Sequence, residues 1–108
     1  MLKIFISMGF RGRDKEFIFQ RRSSIEEVLD NLFVDYEIID NYTKDIPDVI
    51  NESVWCLGDS IRLMADADII VFDDDYKNFG GCLIEEEIAK RYEMFRMYCI
   101  SSPQKPSL

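Results

Sequence analysis

Three consecutive carboxylates, Glu85-Glu86-Glu87, stand just after Gly80-Gly81-Cys82, which in turn follow the apolar run Ala67-Asp68-Ile69-Ile70-Val71-Phe72. A glycine turn between a hydrophobic strand and a helix is where backbone N–H groups and the helix dipole converge on a ligand. The sequence places the three glutamates in the first turn of that helix, where the dipole favours their ionised form. An ionised carboxylate at the mouth of a pocket can attack an electrophilic carbon, so Glu85 is a candidate nucleophile. The competing reading is a solvated helix cap, because acidic side chains collect in first turns simply to offset the dipole.

A second glycine-bearing loop, Met8-Gly9-Phe10-Arg11-Gly12, follows the β-rich run Leu2-Lys3-Ile4-Phe5-Ile6-Ser7. Arg11 and Arg13 flank Gly12 and, with the loop amides, suit an anionic group such as phosphate. Arg21 and Arg22 fall further along the next helix and are expected to face water. Asp73-Asp74-Asp75 offers oxygens to a metal or a ribose hydroxyl, or is only a solvated loop; with no histidine in the chain, no transition-metal site is expected. Cys56, Cys82 and Cys99 are odd in number and widely spaced, which suggests neither a disulfide framework nor a zinc site. Cys82 has no histidine to serve as its base and reads as a packing residue. Trp55 can stack on a purine or simply pack on an apolar helix face.

Elements that would position these residues are legible in the periodicity. The run at residues 2–7 is a strand. From 14 to 33 apolar residues recur at Phe17, Ile18, Ile25, Val28, Leu29 and Leu32, a helical stripe that continues past Ser23-Ser24. Residues 35–40 read as a short strand and 52–66 as a helix with Val54, Leu57, Ile61 and Met64 on one side. Residues 67–72 form the least polar strand, 82–96 a last long helix and 97–100 a final strand. Strand and helix in alternation imply one α/β domain over residues 1–100, a parallel sheet of four to five strands with right-handed crossovers and helices on both faces, with a mobile tail at 101–108. In such a sheet both glycine loops leave the carboxyl ends of strands, so one crevice lined by residues 7–12 and 78–85 is expected.

At 108 residues and 47% hydrophobic composition the chain has room for one core and no second domain. Apolar runs are strand-sized, far short of the roughly 20 residues of a membrane span, and no signal-peptide pattern is evident, so a cytoplasmic protein is expected. A net charge of −8 argues against binding a nucleic-acid polymer. Residues 1–22 nevertheless carry six basic against two acidic side chains, +4, which leaves −12 for the remainder. One basic patch on an acidic protein suits a small anionic ligand.

In the order and spacing of these segments the chain resembles the nucleoside 2-deoxyribosyltransferase-like superfamily, especially its small phage-associated members. The resemblance covers residues 1 to about 100 and implies a flavodoxin-like, doubly wound parallel sheet. It rests on Ile4-Phe5-Ile6-Ser7 with the loop through Gly12, on Trp55-Cys56-Leu57-Gly58-Asp59-Ser60 leading to the run that ends at Phe72, and on Gly80-Gly81-Cys82-Leu83-Ile84-Glu85 with Ala89. It implies Glu85 as the nucleophile at an anomeric carbon and Asp59 as the helping acid, although the family's aspartate position falls on Ser60 in the most natural register. Met8 and Phe10 stand where the transferases have a tyrosine. It also implies Ser7, Met8, Gly9, Phe10, Arg11, Gly12, Trp55, Asn78, Gly80 and Gly81 around a nucleoside or nucleotide, no cofactor, and a homo-oligomer. Two functions follow as expectations: cleavage or transfer at an N-glycosidic bond, or non-catalytic sequestration of a nucleotide or ADP-ribose-type signal, as in phage anti-defence.

Overall fold

The computed structural model describes residues 1–42 and 45–99. The expected tail at 101–108, and Ile100 of the expected last strand, lie outside them. Four strands, β1 (Leu2–Ser7), β2 (Tyr36–Ile38), β3 (Ile69–Phe72) and β4 (Phe95–Tyr98), alternate with three helices, α1 (Lys15–Leu32), α2 (Glu52–Met64) and α3 (Gly80–Arg91). All strand pairs are parallel, in the order β2-β1-β3-β4, the beginning of the flavodoxin-like arrangement. The fold is thus the expected single α/β domain, with four strands.

Strand alternation sorts the core into two layers. Ile4, Ile6, Ile69 and Val71 face Ile18, Ile25 and Leu29 of α1, whereas Phe5, Ile70 and Phe72 face Met64 of α2 and Cys82 and Ala89 of α3. Two consequences follow from the same period. Ser7 shares the face of Phe5 and points toward α3; Asp73, in phase with Val71, points toward α1.

The helices begin where local chemistry allows. Asp14 caps α1 by accepting from the Phe17 amide at 2.8 Å, and Asn51 caps α2 by accepting from Val54 at 3.0 Å. Ser23-Ser24 does not break α1, since the Ser24 hydroxyl donates back to Gln20 O at 3.2 Å.

α3 departs from the expected 82–96 at both ends. It starts at Gly80, so the two glycines are helical, and it stops at Arg91 in a Schellman motif: Met94 N–H donates to Ala89 O (2.8 Å), Glu93 N–H to Lys90 O (3.2 Å), and Glu93 takes φ 54°. The residues after it, expected to be helical, turn out of the helix and form β4, which runs 95–98 in place of 97–100. No helix among the described residues is long and apolar enough to cross a membrane.

Candidate active site

Glu85 lies on the buried stripe of α3 that also holds Cys82 and Ala89, spaced three and four residues apart. That stripe faces the carboxyl end of β1, where the Ser7 hydroxyl donates to Glu85 Oε1 at 2.6 Å. The hydroxyl of Ser60 on α2 approaches the same carboxyl closely enough to help hold its pKa down. Three elements therefore converge on one carboxyl group that is only 6% exposed.

Its titration overturns the expectation of a dipole-stabilised carboxylate. Glu85 sits in the second turn of α3, and the first turn contains no acidic residue. Burial pushes its pKa up to about 7, with the Ser7 and Ser60 hydroxyls holding it from rising further. The cap reading fails with it, because a cap is solvated and this group is not. One turn earlier the Cys82 thiol is buried beside Ser7 and pushed up to about 12, chiefly by burial, which keeps it a protonated packing residue, as expected.

Both glycine loops meet at this edge of the sheet, as the sequence reading required. Phe79, the residue before α3, lays its ring against Gly9 so closely that a Cβ at Gly9 would lie 2.2 Å from it. Gly12 is a glycine for a different reason, a φ of +75° with open space around it. The Arg13 amide closes the loop on Phe10 O at 3.1 Å. Arg11 is exposed at the loop tip, where an incoming anion would meet it.

The other expected ligand residues divide. Met8 is buried and Phe10 packs on the α1-side core, edge-on to Tyr42 at 5.8 Å, so both leave only backbone groups to a ligand. Gly80, Gly81 and Asn78 are exposed at the rim, and Gly81 lies against Leu57 of α2. Trp55 is half-buried on α2, outside both core clusters. The Asp59 carboxylate pairs with Arg62 at 2.5 Å, and it is Ser60, the residue in the natural register, that reaches Glu85.

Arg13, Arg21 and Arg22 are committed elsewhere. Arg13 donates to Gly9 O at 3.1 Å, pairs with Asp75, approaches Asp73 at 4.0 Å, and lies over the rings of Phe17 and Phe79 at 4.9 and 4.6 Å. Arg21, expected to face water, instead donates through Nε to both Asp73 oxygens (3.1 and 3.0 Å) and pairs with Asp74. Arg22 likewise donates to Asn41 at 2.7 Å, and Asn41 in turn donates to Ile6 O at 2.8 Å. The three aspartates bring their oxygens within 4.8 Å of one another and share the guanidinium groups of Arg13 and Arg21, which leaves one negative charge uncompensated. They form an ion-pair cluster that ties the end of β3 to α1, in place of the solvated loop that the sequence also allowed.

Sequence reasoning missed Phe79 and did not foresee the Arg21–Asp73 pair. The parity of Asp73 with Val71 could have found the pair; nothing local signals that the Phe79 ring folds onto Gly9. A shallow hollow of about 520 Å³ lined by Lys90, Met94, Phe95, Arg96 and Tyr98 lies beside β4 and contains none of the candidate residues. Compared with protein families, curated proteins and solved structures, the chain matches none.

Proposed function

We propose that the protein binds a nucleoside or nucleotide at the carboxyl edge of the sheet and cleaves or transfers at its N-glycosidic bond, with Glu85 as the nucleophile. The observation that carries this reading is Glu85 itself: a carboxyl buried at a sheet edge, without a cationic partner among the described residues, held by the Ser7 hydroxyl and with its pKa pushed up to about 7 by burial. Such a group costs stability, and a ligand-binding edge is where that cost is repaid in function. A carboxylate there would attack the anomeric carbon as the C–N bond breaks, the bonding pair leaving with the base, which takes up a proton. The glycosyl ester would then pass to water or to a second base, as in retaining glycosidases. Ser7 fits a positioning role, because its hydroxyl fixes one carboxyl oxygen and leaves the other to react.

Arg11 and the loop amides would receive a 5′-phosphate, since Arg13, Arg21 and Arg22 are already paired. A second copy of the chain belongs to the same reading. α2 buries only Met64, which leaves Val54 exposed and Trp55, Leu57 and Ile61 half-buried near the site.

The non-catalytic alternative, a protein that holds a nucleotide or ADP-ribose-type signal, has one observation in its favour: Asp59 is paired with Arg62, and the residue reaching Glu85 from α2 is a serine, which is a poor acid for a departing base. Incubating the wild type and Glu85→Gln with nucleosides and their monophosphates, with chromatography for free base and thermal shift for binding, separates the two. Base release by the wild type that Glu85→Gln loses while still binding supports the enzyme. Tight binding without release by either protein supports sequestration, and no binding by either removes both.

A further inference from the structure

We propose that the Phe79 ring is a movable plug in the slot that the planar ring of a ligand takes when bound. The identity of that ligand rests on the nucleotide reading above; the plug does not. Gly9 has no positive φ, so backbone conformation does not explain a glycine there. What explains it is the ring, whose Cγ and both Cδ atoms would lie 2.2–2.3 Å from any Cβ at that position. The chain keeps a surface without side chain at the loop, and an aromatic ring lies flat on it.

The slot survives the ring's departure. Arg13, whose guanidinium lies 4.6 Å from the centre of the Phe79 ring, is held independently by the Gly9 carbonyl, Asp75, Asp73 and the Phe17 ring. A nucleobase in place of the ring would find the same flat backbone at Gly9 and the same guanidinium close by, since Arg13 stays on the Gly9 carbonyl. Only the side chain of Phe79 has to move. Its backbone is anchored, with its N–H on Tyr76 O and its carbonyl accepting from Leu83 N–H, both at 3.1 Å, but its side chain caps nothing. Side-chain rotation alone is needed, and Gly80 next to it has open space around it. The ring packs on the cluster that contains Cys82, which neighbours Ser7 in the crevice floor. Cys82 is therefore a natural reporter of opening.

Alkylation of the three cysteines by N-ethylmaleimide, resolved peptide by peptide by mass spectrometry, reads that opening directly. Phe79→Ala should speed Cys82 labelling at least tenfold, with Cys56 and Cys99 changed less than twofold; an unchanged Cys82 rate overturns the plug. Gly9→Ala should act the same way by expelling the ring, and should add nothing once Phe79 is already alanine. Independent, multiplying effects of the two substitutions overturn the proposal. If Phe79→Ala does not fold, Phe79→Leu keeps apolar volume without a planar ring and should show at least a threefold gain; no gain there overturns the plug equally. Equilibrium dialysis with adenosine and adenosine 5′-monophosphate then tests the ligand. At least fivefold tighter binding to Phe79→Ala supports a ring competing for the slot. Binding of either probe to wild type that Phe79→Ala leaves unchanged overturns the plug and spares the nucleotide reading. Faster labelling with no binding of either probe supports the plug and removes the nucleotide reading.

Discussion

The behaviour of Glu85 with pH distinguishes a working carboxylate from a structural one. Its native pKa of about 7 stands above the ordinary 4.5, so between those values the native state holds a proton that the unfolded state has lost. Native proteins that bind more protons than their unfolded forms lose stability as pH rises, so this group's destabilisation develops from about pH 4.5 to 7 and is constant above, amounting to about 3 kcal/mol. Glu85→Gln keeps the size of the side chain and cannot ionise. Urea unfolding at pH 5 and pH 8 should therefore find the variant gaining about 2.5 kcal/mol on the wild type between the two, since part of the effect is already present at pH 5, and a pH-independent difference would show that the native group is ionised throughout. Turnover should move the opposite way: a nucleophile must be ionised, so base release should rise through pH 7 and level off above it. A rate that falls through pH 7 would instead assign Glu85 as an acid. At the loop tip, Arg11→Ala should weaken binding of a monophosphate by about 1.5–3 kcal/mol and of its nucleoside far less, as measured by calorimetry; equal losses would remove the phosphate role.

Elements are where the sequence was most legible and where its misreadings have plain causes. Apolar runs and periodic stripes located every strand and helix, and α1 and α2 lie within two residues of their expected ends. Both ends of α3 were displaced because glycine pointed the wrong way twice. At its start Gly80-Gly81 suggested a turn but is helical, and at its end the left-handed position that favours glycine is filled by Glu93. That two-residue shift moved Glu85 from a solvated first turn into the second, where the buried stripe lies, and so reversed the reasoning about its charge. The Arg21–Asp73 pair was hidden for another cause: one helical turn further along α1 looked like solvent until β3 supplied a carboxylate beneath it. Asp73 is buried and its pKa is raised by that burial against the pull of Arg21. Asp73→Ala should release α1 from β3 at a cost of about 2–3 kcal/mol in urea unfolding, below the full penalty for a broken buried pair because Arg21 is partly solvated. A loss under about 0.5 kcal/mol would make the cluster a surface ornament.

At the scale of the whole molecule, parallel topology and the meeting of the two glycine loops followed from strand–helix alternation, because right-handed crossovers leave few other arrangements. Which side chains meet across that edge did not. Ser7 with Glu85, and Gly9 with Phe79, pair residues from opposite ends of the chain, and only packing decides such contacts. Packing also leaves something undone. α2 is a 13-residue amphipathic helix, yet Met64 is its sole buried residue, and Val54 is 62% exposed on the same helix as half-buried Trp55 and Leu57. On α3 Ile84 is 45% exposed, and a Cβ at Gly81 would come within 4.0 Å of Leu57, so both helices carry uncovered apolar side chains. Apolar area of this kind on a small domain is commonly covered by a symmetric copy, where each subunit buries the same patch on the other. The expected outcome is a homodimer at micromolar concentration in sedimentation equilibrium. Val54→Asp should dissociate it, because each symmetric interface would then bury two carboxylates, while far-UV circular dichroism stays as in the wild type. A wild type that sediments as monomer up to about 100 micromolar, a concentration at which an interface of even about 5.5 kcal/mol would be half assembled, would leave α2 open to solvent and confine the site to one chain.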